Sequence, residues 1–242
     1  MFSIFRKELS SFFSNATGYI VIGIFLLLTG LFLWVIPGEF NILNNGYANL
    51  DSLFVLAPWL FLFLCPAVSM RLFAEEKQTG TWELLITKPL GRWQLVLGKY
   101  FAGWVLVILA LLPTILYYWS VAYIAEPAGN VDSGAFWGSF IGLLLLAAVY
   151  ISIGTFASSL SKNQIVAFIL ALILCFFFYY GFDILSSFFS SGQTILNLRL
   201  FGIYEHYKSI SRGVVDSRDL AYFLLVISIF LSLTNYRIKK SR

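Results

Sequence analysis

An all-α integral membrane protein with six transmembrane helices is predicted by three features of this sequence. First, 60% of its 242 residues are hydrophobic and only 12% are charged, with a mean hydropathy of +0.85. A water-soluble domain carries charge on roughly a quarter of its residues. Second, the charges gather between long stretches that contain none. These are Gly18–Ile36 within the first stretch, then Ser52–Met70, Tyr100–Ala125, Ser133–Ser161, Asn163–Phe182 and Leu220–Tyr236. Each is near or above the roughly 20 residues that a helix needs to cross the hydrocarbon layer. Third, these stretches lack the two-residue alternation of a barrel strand, and lipid admits only helices or closed barrels. Residues 1–242 read as a single membrane domain.

The elements follow in order. In residues 1–15, "MFSIFRKELSSFFSN", Phe2, Phe5, Leu9, Phe12 and Phe13 fall on one helical face, with Lys7, Ser11 and Ser14 opposite. That pattern predicts an amphipathic helix lying at the membrane interface. The first span is too long for a cleaved signal segment and lacks a small-residue cleavage site. Lys and Arg set orientation, because loops on the cytoplasmic side are enriched in them. With the N-terminus inside, all of the sixteen basic residues except Arg199, Lys208, Arg212 and Arg218 fall on the cytoplasmic side. Both termini are expected in the cytoplasm.

Residues 71–99 form the most polar segment in the first three-quarters of the chain, and they are expected to be cytoplasmic. The loop is long for a simple connector. Glu75 and Glu76 open it. Thr79 or Gly80 is placed to cap a short helix, and Glu83 to bond back to its free N–H groups. Trp82, Leu84, Leu85 and Ile86 give that helix an apolar surface, and Lys88 suits its C-terminal end. Pro89 ends it. "GRWQLVLGKYF" then leads into the third span. The loop therefore reads as a stiff helix–break–helix unit suited to docking a cytoplasmic partner, with movement passed directly to the two spans it joins.

Beyond it, Gly134, Gly138 and Gly142 recur every four residues in the fourth span. Such a ridge lets another helix approach closely, either within the chain or as a dimer seam. "CFFFYYGF" in the fifth span either lines an apolar route or faces lipid and core. Residues 187–219 are too interrupted to span. They are expected to form short helices at the outer face, followed by Asp216 or Ser217 capping the sixth span.

Catalytic chemistry finds little footing. Cys65 and Cys175 lie singly in apolar runs and read as small buried side chains. The lone histidine, His206, brings no metal cluster, and pairs with Glu205 or faces solvent. "GRWQLVLGKY" has Gly91, Gly98 and Lys99, but its glycines are wrongly spaced for a phosphate loop. Tyr100 also stands where a magnesium-binding hydroxyl belongs. The spans hold no charged residue for a proton relay, and Asp183 marks only the outer end of the fifth. No catalytic residue, metal site or nucleic-acid site is expected.

The stretch "EEKQTGTWELLITKPLGRWQLVLGKY" resembles the ABC-2 type transporter permeases. Glu76, Gly80, Thr81, Glu83, Leu84, Leu85, Thr87, Pro89, Trp93, Gly98 and Lys99 carry the likeness. Within that family, "YEHYKSISRGVVDSRDLAYF" is similar to the gliding-motility-associated permease subunits. The resemblance implies a coupling helix over residues 79–89 that docks on a separate cytoplasmic ATPase subunit. That subunit would bind ATP and magnesium, and Glu75, Glu76 and Glu83 would meet its basic residues. It further implies a second permease copy or a partner membrane subunit, a bacterial inner-membrane location, and no enzyme activity in this chain. The alternatives are a permease of the copper and nitrous-oxide maturation type, a generic exporter, or a membrane scaffold without transport.

Overall fold

A computed structural model of the protein describes residues 1–87, 91–127 and 129–240. Lys88, Pro89 and Arg242 lie outside the described residues. The described residues hold no strand. They run α1 (Phe2–Ser14), α2 (Ala16–Gly30), α3 (Asp51–Ser69), α4 (Arg71–Gln78) and α5 (Thr81–Ile86). Next come α6 (Arg92–Leu111), α7 (Ile115–Ile124), α8 (Ser133–Leu160) and α9 (Gln164–Phe176). The chain closes with α10 (Phe182–Ser186), α11 (Gly192–Arg199), α12 (Ile203–Ile210) and α13 (Ser217–Lys240). Six stretches are long and apolar enough to cross a membrane: Ala16–Val35, Asp51–Gln78, Arg92–Ile124, Ser133–Leu160, Gln164–Ser186 and Ser217–Lys239. The protein is a multi-pass membrane protein. Two spans carry a π-helical turn, at Leu31–Val35 and Phe177–Gly181, and a 3-10 turn at Pro113 joins α6 to α7.

The fourth span is the hub. α8 packs against α3, α4, α6, α9 and α13. Of its spanning window 78% is buried, against 22% for the first span and 33% for the sixth. The first and sixth spans therefore leave most of their surface uncovered by the rest of the chain. Small residues on α8 explain its many neighbours, because glycine lets another backbone come close. A Cβ at Gly154 would fall on the Ser69 hydroxyl, and one at Gly138 on the Gly213 backbone. At Gly142 it would meet Ile210. The glycine ridge is therefore filled by the chain's own 210–213 segment, while Gly134 stays exposed with only Asp132 nearby.

Two prolines shape α3. A proline has no N–H, so the carbonyl four residues earlier loses its helical partner. Pro58 frees the carbonyl of Phe54 in this way. Tyr207 of α12 fills the gap, its hydroxyl donating to that oxygen at 2.7 Å. Burial, and then the neighbouring Tyr179, push the Tyr207 phenol well above its ordinary pKa, so it remains a proton donor. Ile203, Tyr207 and Ile210 are all buried, so α12 inserts into the bundle, while α11 buries nothing. His206 bonds Asp219 at 2.7 Å rather than Glu205, and its other ring nitrogen meets the Leu200 carbonyl at 2.9 Å. Asp216 caps α13 as expected, accepting from the Arg218 N–H at 2.9 Å. Asp183 pairs with Arg199 at 3.0 Å.

Candidate functional site

The candidate site occupies the end of the bundle that carries both α1 and the C-terminal turns of α13. It begins where the second span leaves α3. α3 gives way to α4 at Met70, which keeps helical backbone angles, and Ser158 of α8 holds the junction. Its hydroxyl donates to the Met70 carbonyl at 2.8 Å and accepts from the N–H groups of Phe73 and Ala74 at 3.0 and 3.1 Å. A single side chain thus meets three backbone groups at this junction.

"QTGT" then reverses the chain. Gly80 has φ +74°, the left-handed conformation that closes many helices and favours glycine. The hydroxyls of Thr79 and Thr81 turn back onto the Glu75 and Glu76 carbonyls at 2.9 and 3.4 Å. Both threonines serve the end of α4, and the N-cap of α5 is Gly80, one of the two residues expected there; no side chain caps this end, so Glu83 does not bond back as expected. Trp82 points inward. It is 7% exposed and meets the Phe73 ring edge-on at 5.8 Å, with the Lys77 ammonium over its own ring at 5.6 Å. Thr81, Glu83, Leu84 and Thr87 are exposed, Leu84 at 68%, and Leu85 is half-buried. Pro89, expected to end this helix, lies outside the described residues.

A knot of charges anchors this unit. Lys99, at the start of the third span, is wholly buried. Its ammonium sits 2.8 Å from Glu8 of α1 and 3.0 Å from Glu76 of α4, over the Phe73 ring at 5.2 Å. Lys7 reaches the other oxygen of Glu76 at 2.8 Å. Two lysines face two glutamates, so the burial is charge-balanced, as buried ions require. Burial works to lower the Lys7 pKa, but the hydrogen bond and charge of Glu76, with Glu8 and Glu75, outweigh it and hold the group above its usual value. Beside the knot, Arg71 grips Glu75 at 2.8 and 3.0 Å and Thr17 of α2 at 2.8 Å. Four helices, α1, α2, α4 and α6, are thereby tied at one end.

The three acids of this loop differ in their surroundings. Glu76, expected to face a partner's basic residues, is 8% exposed and spent on Lys7 and Lys99. Glu75 is committed to Arg71. Glu83 alone of the three is exposed and makes no ion pair among the described residues. The first helix also differs in detail. Ile4 and Phe12 are buried with Glu8 between them, and α1 crosses α6 where Gly98 admits Ile4 and the Met1 carbonyl. Phe2 and Leu9 flank that contact on the more exposed side. Sequence reasoning missed Glu8. Its signal was position: it is one helical turn from both Ile4 and Phe12, an acid inside the inward stripe.

Among the described residues, no three His, Cys, Asp or Glu side chains are grouped to hold a metal ion. What the site offers instead is a short helix with exposed polar and apolar side chains, packed on α4 through Trp82 and Phe73. Residues 42–240 match the family model described as ABC-2 family transporter protein. No curated protein matches the chain.

Proposed function

This chain belongs to the ABC-2 family of transporter proteins, and on that premise we propose that it is the membrane-spanning permease subunit of an ATP-driven exporter. ATP and magnesium would bind to a separate cytoplasmic ATPase subunit. The observation that carries the proposal is the exposed face of α5, Thr81, Glu83, Leu84 and Thr87, on a helix fixed from behind by Trp82. Such a helix can enter a groove on a partner without first paying to become ordered. Closure of paired ATPases would push α5, and α4 would carry that push to α3, while the charge knot would pass it to α6 and α1. A second permease copy or a partner membrane subunit would complete the pathway. The excess of Lys and Arg at this end supports a cytoplasmic assignment for it and for both termini, in a bacterial plasma membrane. Within the family we read the chain as the gliding-motility type, a reading supported by the likeness over residues 204–223.

The test is capture of the tagged chain from detergent-solubilised native membranes, with ATP hydrolysis measured in the eluate. A Glu83→Arg, Leu84→Asp variant should lose the ATPase activity that the wild type retains, because both side chains are exposed and neither holds the fold. If wild type and variant bring down equal activity, α5 is not the docking helix. If a well-folded wild type brings down none, a scaffold role without transport gains ground.

A further inference from the structure

The same end of the bundle holds a second polar feature that the charge knot does not use. A cavity of about 290 Å³ opens between α5, the turn joining α8 to α9, and the last turns of α13. Lys77, Lys162 and Arg237 line it, with Glu83 as the one acid and Trp82 and Leu160 as apolar wall. Lys77 donates to the Ser159 carbonyl, which is neutral and leaves its charge uncompensated. Lys162 and Arg237 form no ion pair among the described residues. The Trp82 indole N–H is buried without an acceptor. The recess therefore holds an excess of positive charge, and partly buried charges are screened less by salt than open ones.

Position says what kind of anion fits. The cavity lies where the second span ends at Gln78, the fourth at Leu160 and the sixth at Lys239, the level at which lipid headgroups sit. One turn along α13 from Arg237, an open groove of about 500 Å³ is lined by Leu225, Ile229, Leu233 and Tyr236 with Ser228 and Ser232. A free anion would use the cavity alone. A lipid would use both the cavity and the groove.

We propose that this cavity binds the phosphate of an anionic membrane lipid, with its acyl chains laid along the exposed face of α13. The site shares Glu83 with the free face of α5 but does not depend on α5 docking an ATPase. Native mass spectrometry of the purified full chain, mixed with phosphatidylglycerol and phosphatidylcholine of matched chain length, tests it. Each basic side chain at an anionic surface is worth roughly fivefold in affinity. Wild type should therefore retain phosphatidylglycerol about tenfold or more over phosphatidylcholine. A Lys162→Gln, Arg237→Gln variant should lose that preference. Both residues are exposed, so the fold should stand. A Lys239→Gln variant, two residues further along α13 and outside the lining, should keep it. No preference in wild type, preference surviving in the double variant, or equal loss in Lys239→Gln would each overturn the proposal. Displacement of the lipid by inorganic phosphate at equal concentration would overturn the lipid source.

Discussion

The hydroxyl of Tyr207 and the ring of Pro58 are one device. Proline opens the helical ladder at the Phe54 carbonyl and tyrosine closes it from α12. An unpaired buried carbonyl costs about 1–3 kcal/mol. Tyr207→Phe should destabilise the protein by about that amount, read as a lower melting temperature in detergent. Pro58→Ala restores an N–H partner for the same oxygen. In the Pro58→Ala background, Tyr207→Phe should therefore cost much less, and additivity of the two changes would refute the pairing. Sequence reasoning missed this device, although Pro58 inside the Ser52–Met70 run was its signal, since a proline within a span calls for a donor. Which donor was not legible, because the chain has 13 tyrosines and seven tryptophans and the choice depends on packing.

At the scale of elements, α1 is a working part of the bundle. Lys99→Met removes the cation between Glu8 and Glu76 and leaves two acids facing each other inside the protein. Breaking a buried ion pair costs about 3–5 kcal/mol. That variant should lose stability on this scale and expose α1 to protease. If α1 stays as protected as in wild type, the knot does not hold it. A Lys99→Met, Glu8→Gln, Glu76→Gln triple variant should recover part of the loss. The spans, the short helix over α5 and the capping at Asp216 were readable from charge-free runs, "TGT" and local spacing. The knot was not, because Lys99 and Glu8 lie 91 positions apart. A lysine at the start of a span also reads equally well as one that simply reaches for water. The glycine ridge of α8 was readable as a place of close approach, but its occupant, the turn at Gly213, was not.

For the whole molecule, the arrangement predicts sides. Cys65 and Cys175 are both buried, so the chain offers a quiet background for introduced cysteines. Thr87→Cys and Lys239→Cys should react with a membrane-impermeant thiol reagent in inverted vesicles. Asn44→Cys, in the loop after the first span, should react only in right-side-out cells. Labelling of Thr87→Cys and Asn44→Cys from the same side would break the six-span topology. The sixth span marks the limit of sequence reading here. Its length and composition gave away that it crosses, whereas its exposed groove and the cavity at its end depend on three segments meeting from distant parts of the chain.

The order in which the ribosome delivers these parts has a consequence of its own. Glu8 and Glu76 both leave the tunnel before Lys99, so the lysine arrives to find its counter-charges already made and need never enter the bilayer alone. The carbonyl of Phe54 has the opposite history, for its partner is made 153 residues later. Throughout the insertion of the third, fourth and fifth spans, the second span must wait with an open oxygen. A nascent chain stopped short of Tyr207 would keep that oxygen without the donor that the finished fold supplies.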